Sequence, residues 1–389
     1  MPVGYGSAFV PTQERKVTNL NPSGSGSLQE ALTTPAGGSG VIVTMEGLDG
    51  SINRIGQSDI IVDQSRITIA GDNANVTLIG GGLRIKANDI EIRNLRILPG
   101  DEEGTPSKDN RDCIGIEGNA VPQRVWIHHN TLGWSTDGLL DIWPGSDGIS
   151  PKQITIEDNI FAEALSQAGH SDGEHSTAVL LGKGSVDVFL NRNLFSGVTR
   201  RCPAFHAGCN VAVVNNLYYN TEKTIECYNA TAGFSGALVD VIGNHMILGP
   251  ESPWWRVAPS FEIAQSGRDP TTKVYMSDNM TTYDPSLAAA QPNYANMNAF
   301  PTNSVYGAAL IAGTPQTVLP VTPMAASAVK VYVAANAGPA NRTVFENRII
   351  AEVLNGTTGS IKNTGLTSEK EYFGFPTILL LSLRMKGSV

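Results

Sequence analysis

Acidic side chains concentrate in one part of the chain: Asp109 and Asp112, then Asp137 and Asp141. The segment Asp137-Gly-Leu-Leu-Asp141-Ile-Trp143 alternates as a strand does, with Leu140 and Ile142 on one face and Asp137, Asp141 and Trp143 on the other. Asp112 immediately precedes a second strand-like segment, Cys113-Ile-Gly-Ile116. If the two segments stack as neighbouring strands, about 4.8 Å apart, Asp112, Asp137 and Asp141 converge. Carboxylates that close repel unless a cation lies among them, and an all-oxygen donor set selects Ca²⁺ over a transition metal. Further along, Arg200-Arg201-Cys-Pro-Ala-Phe-His206 supplies two guanidiniums and an imidazole, groups that hold anions and move protons.

Other residues near these segments could meet a substrate. Trp134 and Trp143 flank the acidic strand and offer faces for sugar rings. The loop His170-Ser-Asp172-Gly-Glu174-His175 carries four polar ligand types and leads into the strand of Thr177, a candidate groove wall. Lys183 and Arg200 are cations placed to bind an anionic substrate. Each has a plainer structural reading: a Trp at a strand end packs, an Arg pair makes surface ion pairs, and a lone His satisfies the core.

An internal repeat supplies the scaffold. Short strands end at an Asn again and again: Ile90–Asn94, Val125–Asn130, Ile154–Asn159, Val186–Asn193, Val211–Asn216, Val239–Asn244 and Val274–Asn279. The final Asn residues are separated by 36, 29, 34, 23, 28 and 35 positions. Units this short have no core of their own, so their inward apolar residues are covered only when coils stack into a parallel β-helix. Asn suits such turns because it tolerates left-handed backbone, and stacked turns place amide over amide as a ladder. A β-sandwich would need Asn-Gly or Asp-Gly hairpin doublets at even spacing, and few are present.

The ends of a solenoid need covers. Ser27-Leu-Gln-Glu30 is a capping-box pattern that predicts a short helix closing the N-terminal end. From Asn341 a second helix is predicted, with Phe345, Ile349 and Val353 on one stripe and Gly356 as its C-cap. The expectation is one all-β domain over 1–389, with coils over about 27–280 and an irregular wrapping segment plus helix over about 281–389.

Composition narrows the partners. With 27 basic and 36 acidic residues the net charge is −9, which disfavours nucleic-acid binding. No apolar run has a membrane-spanning length, and the start, Met1-Pro2-Val3-Gly4, lacks the pattern of a signal peptide. Cys113, Cys202, Cys209 and Cys227 have no metal-type spacing; they read either as small buried side chains or as the source of one disulfide.

Several stretches resemble the pectate lyases of the family 1 polysaccharide lyase type: Asp112-Cys-Ile-Gly-Ile-Glu-Gly118, Val125-Trp-Ile-His-His-Asn130, Trp134-Ser-Thr-Asp-Gly-Leu-Leu-Asp141, Ile156–Phe161, His175–Gly182 and Arg201–Gly208. Gly24–Leu32 and Arg348–Gly356 look like the terminal segments of a bacterial branch, so the resemblance spans roughly residues 15 to 360. It implies a right-handed parallel β-helix and Ca²⁺-dependent β-elimination of a uronate polysaccharide. By the same resemblance Asp112, Asp137 and Asp141 match metal ligands and Arg201 matches the catalytic base. Two positions depart from the pattern: Thr177 stands where a Lys is common, and His206 stands where a second Arg is expected. His206 would then replace the lost charge when protonated or act as an alternative base.

The expected protein is therefore an extracellular, monomeric lyase acting on pectate or a related polyuronate. The alternative is a phage tailspike-like or adhesin β-helix that binds a surface polysaccharide, a virion-tail protein and, if phage-derived, a trimer, suggested by the apolar segment Phe375–Leu381. A glycoside hydrolase would need two carboxyl groups with one kept protonated.

Overall fold

In the computed structural model the described residues are 9–357, apart from 36, 105, 119–122, 147, 149–150, 229–231, 250–251, 253–261, 264–268, 270 and 284–311. The predicted segment Phe375–Leu381 lies outside them.

The chain winds into a right-handed parallel β-helix with three sheets, of 10, 9 and 8 strands among the described residues. Its repeat does what a repeat without its own core must do: like residues stack in register from coil to coil. Ile90, Val125, Ile154, Val188, Val211, Val239 and Val274 form one inward column. All seven are buried. Burying each aliphatic side chain contributes about 1.5–3 kcal/mol, so the columns carry the solenoid. A second column is aromatic, with the rings of Phe161, Phe195 and Tyr218 stacked at 4.9 and 5.1 Å between centroids.

The predicted amide ladder runs through Asn130, Asn159, Asn193, Asn216, Asn244 and Asn279. Each Nδ2 donates to the next Oδ1 at 2.9–3.2 Å. Two details differ from expectation. Asn94 is not a rung; Leu95 holds that place, and its N–H donates to Asn130 Oδ1. The left-handed residue is the one before each ladder Asn (His129, Asp158, Arg192, Asn215, Gly243 and Asp278). The ladder Asn is selected for buried hydrogen bonding, and its neighbour bends the chain.

Coils begin earlier than predicted, since Gln13–Lys16 already pairs with Val41–Thr44. The helix Leu28–Thr33 lies at the N-terminal end, with Ser27 Oγ accepting from Glu30 N at 3.2 Å. Glu30 closes the motif on Gly26 N at 2.7 Å rather than on Ser27. At the other end Val344–Asn355 is helical, with a Thr343–Glu346 capping box and Gly356 in the left-handed region. Phe345, Ile349 and Val353 are buried against the solenoid. Arg96 pairs with Glu346, and Arg348 with Glu163 at 2.8 Å. A further helix, Ala326–Asn336, lies where irregular wrapping was expected; Ala325 provides no side-chain cap, so the sequence carries no start signal. All four cysteines are buried free thiols. No helix among the described residues is long and apolar enough to cross a membrane.

Candidate active site

The 8-stranded sheet positions the acidic residues. Strand Ile114–Glu117 pairs in parallel with Gly138–Trp143, Gly115 beside Asp141 and Glu117 beside Trp143. Leu140 and Ile142 are buried inward, while Asp141 and Trp143 face out and Trp143 is 43% exposed. Gly138 N donates to Asp112 Oδ1 at 2.9 Å, which fastens one coil's carboxylate to the next. Ligand oxygens of Asp112, Asp137 and Asp141 lie within 4.8 Å of one another. They line an open cleft of about 790 Å³ together with Arg84, Trp143, His175, Lys183 and Arg201.

The electrostatics of the trio are those of crowded, partly buried carboxyl groups. Burial pushes the Asp112 carboxyl up to about 7, with Arg84 opposing and Asp137 adding to the shift. Burial and the two neighbouring carboxylates push Asp141 well above the ordinary range. Asp141 Oδ1 is buried without a hydrogen-bond partner. Its carboxylate sits over Gly138, where a Cβ would come within 2.1 Å of it. A buried, unsatisfied oxygen among like charges is costly unless a cation completes it. The donors are all oxygen, so a hard divalent cation fits the set.

Asp137, His170 and His175 also bring ligand atoms within 4.8 Å. Their hydrogen bonds give these imidazoles a different role. Asp172 N donates to His170 Nδ1 at 3.0 Å, so the neutral ring carries its proton on Nε2, 3.7 Å from Asp137 Oδ1. His175 Nε2 lies 3.0 Å from the same oxygen. The stacked rings, 3.7 Å apart, brace Asp137 from one side. Thr177 does so from behind: its hydroxyl is buried and donates to Asp137 O at 2.9 Å.

Arg201 reaches the cleft from a later coil. Its backbone is left-handed, φ 60°, and its Nε donates to Tyr228 Oη at 3.0 Å. Burial works to lower its pKa, but Tyr228 and Asp141 outweigh burial and the net shift is upward. Among the described groups, then, the guanidinium is held protonated by Tyr228 first and by the Asp141 and Asp137 carboxylates after it.

Three sequence expectations need correction. Trp134 does not face the cleft: its indole is 2% exposed, donates to Glu163 Oε2 at 2.9 Å and packs edge-on to Phe345. His206 is no substitute cation, because burial, Arg201 and Lys183 push it down to about 4. It packs edge-on between Trp143 and Tyr228, at 5.4 and 4.9 Å. Arg200 and Thr177 form a bridge behind the cleft and do not line it.

Sequence reasoning missed Arg84. Its guanidinium binds Asp112 Oδ2 at 2.7 Å and Asp59 Oδ2 at 2.8 Å. The readable signal was Gly115, where a Cβ would lie 2.2 Å from Arg84 Nη1.

The protein is thus a stacked parallel β-helix with an acidic, arginine-bearing cleft on its flank. The family model described as pectate lyase matches residues 39–342. The chain belongs to the pectate lyase family, a family of lyases. It is 28% identical over 378 residues to "Probable pectate lyase C" of Aspergillus fumigatus, covering 93% of this chain and 76% of that protein. It is 29% identical over 180 residues to "Pectate lyase A" of Aspergillus niger, covering 44% of this chain and 50% of that protein. For most of the curated relatives it matches, the chain spans about half of their length. The major allergen from cedar pollen superposes with a TM-score of 0.58 at 17% identity, covering 87% of this chain and 93% of the other. A pectate lyase from Bacillus sp. N165 in complex with trigalacturonate gives 0.54 at 16% identity, covering 87% and 99%. The curated relatives matched by sequence are fungal, with a plant protein from Ambrosia artemisiifolia beside them, and lend no support to a bacterial or phage branch.

Proposed function

We propose that this protein cleaves pectate or a related polyuronate by β-elimination, outside the cell, with Ca²⁺ held by Asp112, Asp137 and Asp141. The observation that carries the proposal is the convergence of these three carboxylates within 4.8 Å, in the cleft that Arg201 also lines. Bound there, Ca²⁺ would supply positive charge against the substrate's carboxylate and so make the C5 proton more acidic.

The chain's own residues do the rest. Arg201 first loses its own proton to water, which alkaline pH favours, and as a neutral guanidine takes the C5 proton; the C5–H electron pair becomes the C4=C5 double bond, the C4–O bond breaks, and the departing oxygen takes a proton from water. Lys183, on the cleft wall, attracts the polyanion, and the exposed Trp143 gives its sugar rings a face. His170, His175 and Thr177 hold Asp137 in place, and the two imidazoles also line the cleft that receives the substrate. His206 stays neutral at neutral pH and shapes the wall beside Trp143.

The test is incubation with polygalacturonate and Ca²⁺ while following ultraviolet absorbance of the unsaturated product, with and without chelator. Growth of absorbance that chelator abolishes supports the proposal. New reducing ends without absorbance would mean a hydrolase, and binding without either would mean an adhesin; both results contradict it.

A further inference from the structure

The base assigned to Arg201 raises a mechanical question: an arginine carries about 2 kcal/mol of rotamer freedom, and a proton acceptor must hold one position. Two side chains of the next coil answer it. The strand Glu226–Cys227 pairs with Ala204–Phe205, immediately after Arg201. Glu226 and Tyr228 are two residues apart and both reach back to Arg201. Glu226 Oε2 accepts from Arg201 N at 2.7 Å, fixing a backbone whose left-handed φ is unfavourable for a residue that carries a Cβ. Tyr228 Oη accepts from Arg201 Nε at 3.0 Å, and the guanidinium carbon stands 5.8 Å from the phenol ring centroid.

We propose that Glu226 and Tyr228 form a clamp that positions Arg201, gripping the backbone nitrogen and Nε while leaving both terminal nitrogens for the substrate. This rests on the role given to Arg201 above. Among the described residues the Arg201 side chain makes this one hydrogen bond, so Tyr228 alone orients the guanidinium plane. The choice of a phenol matters. A carboxylate at this place would compete with the uronate for the guanidinium, whereas a phenol accepts the Nε–H without a charge. Burial pushes the Tyr228 hydroxyl up from its ordinary value, which keeps it neutral. Its own position is fixed, because Tyr228 N donates to Phe205 O at 2.9 Å and the ring abuts His206.

Tyr228→Phe tests the clamp, since it removes one oxygen and keeps the ring packing. The expected result is a fall in kcat of about 10- to 100-fold, the worth of a hydrogen bond to a charged group, with KM and calcium affinity unchanged. A second readout does not depend on turnover: nitrogen–proton NMR of the arginine Nε–H groups, the Arg201 signal being identified by its loss in Arg201→Lys. In the wild type this signal should be protected from exchange, and in Tyr228→Phe it should lose that protection. An unchanged kcat, or a KM that rises in step with the fall in kcat, overturns the proposal. If the wild type makes no unsaturated product, the lyase reading fails by itself; the NMR comparison then decides the clamp, and protection that survives in Tyr228→Phe overturns it.

Discussion

Asp141→Asn should make the metal-free protein more stable while destroying its response to calcium. The three carboxylates lie within 4.8 Å of one another. Two unit charges at that separation repel by about 3.5 kcal/mol at an effective dielectric of 20. Partial protonation already relieves some of this, since Asp112 is pushed up to about 7 and Asp141 higher than its ordinary range. About 2 kcal/mol should therefore return when Asp141 loses its charge, an amide of the same shape filling the same space. In a chain of this size that corresponds to a rise in melting temperature of about 2–4 °C in chelator. With calcium at about 100 times its Kd the wild type gains about 2.7 kcal/mol and the variant little, so the order of stabilities reverses. Calorimetric melts in chelator and across a calcium titration read both halves. A variant that melts lower than wild type in chelator, or gains the same stabilisation from calcium, refutes the reasoning.

Three other perturbations probe the scaffold and the reassigned residues. Asn193→Ala removes donations to Ile156 O and Asn216 Oδ1, both at 2.9 Å, and strands the donors of Asn159; a loss of about 4 kcal/mol in denaturant unfolding is expected. Trp134→Phe should cost about 1–2 kcal/mol through the lost bond to Glu163 while leaving KM for polygalacturonate unchanged, and a raised KM would return Trp134 to the cleft. His245 is pushed down from 6.5 to about 4 by burial, so the unfolded chain binds its proton first and the stabilisation, complete above 6.5, is lost as pH falls towards 4. Relative to His245→Gln, the wild type should lose about 2 kcal/mol across that window in urea titrations. The comparison between variants is needed because Asp112 and Glu157, both pushed up to about 7, act in the opposite direction over part of it.

The recurring strand–Asn unit made the solenoid legible, because a repeat that cannot bury itself has few ways to fold. The convergence of Asp112, Asp137 and Asp141 followed from strand alternation together with the stacking of neighbouring coils. What stayed hidden depended on contacts between coils at unequal spacing. Trp134 and Trp143 look alike in sequence, but one lies at a turn facing the C-terminal helix and the other on the outer face of a strand. Tyr228 stands 27 residues after Arg201, and no local pattern marks a hydroxyl that acts across a coil. Arg84 betrayed itself only through the side-chain space missing at Gly115. The helix Ala326–Asn336 lacks a side-chain cap, so nothing in the sequence announces where it begins.

The most direct test of the account is the mass of the products released from a defined oligogalacturonide in heavy-oxygen water with calcium present. Elimination predicts fragments whose masses sum to that of the substrate, one of them unsaturated and neither carrying solvent oxygen. Fragments heavier by one water, with the heavy isotope incorporated, would contradict it.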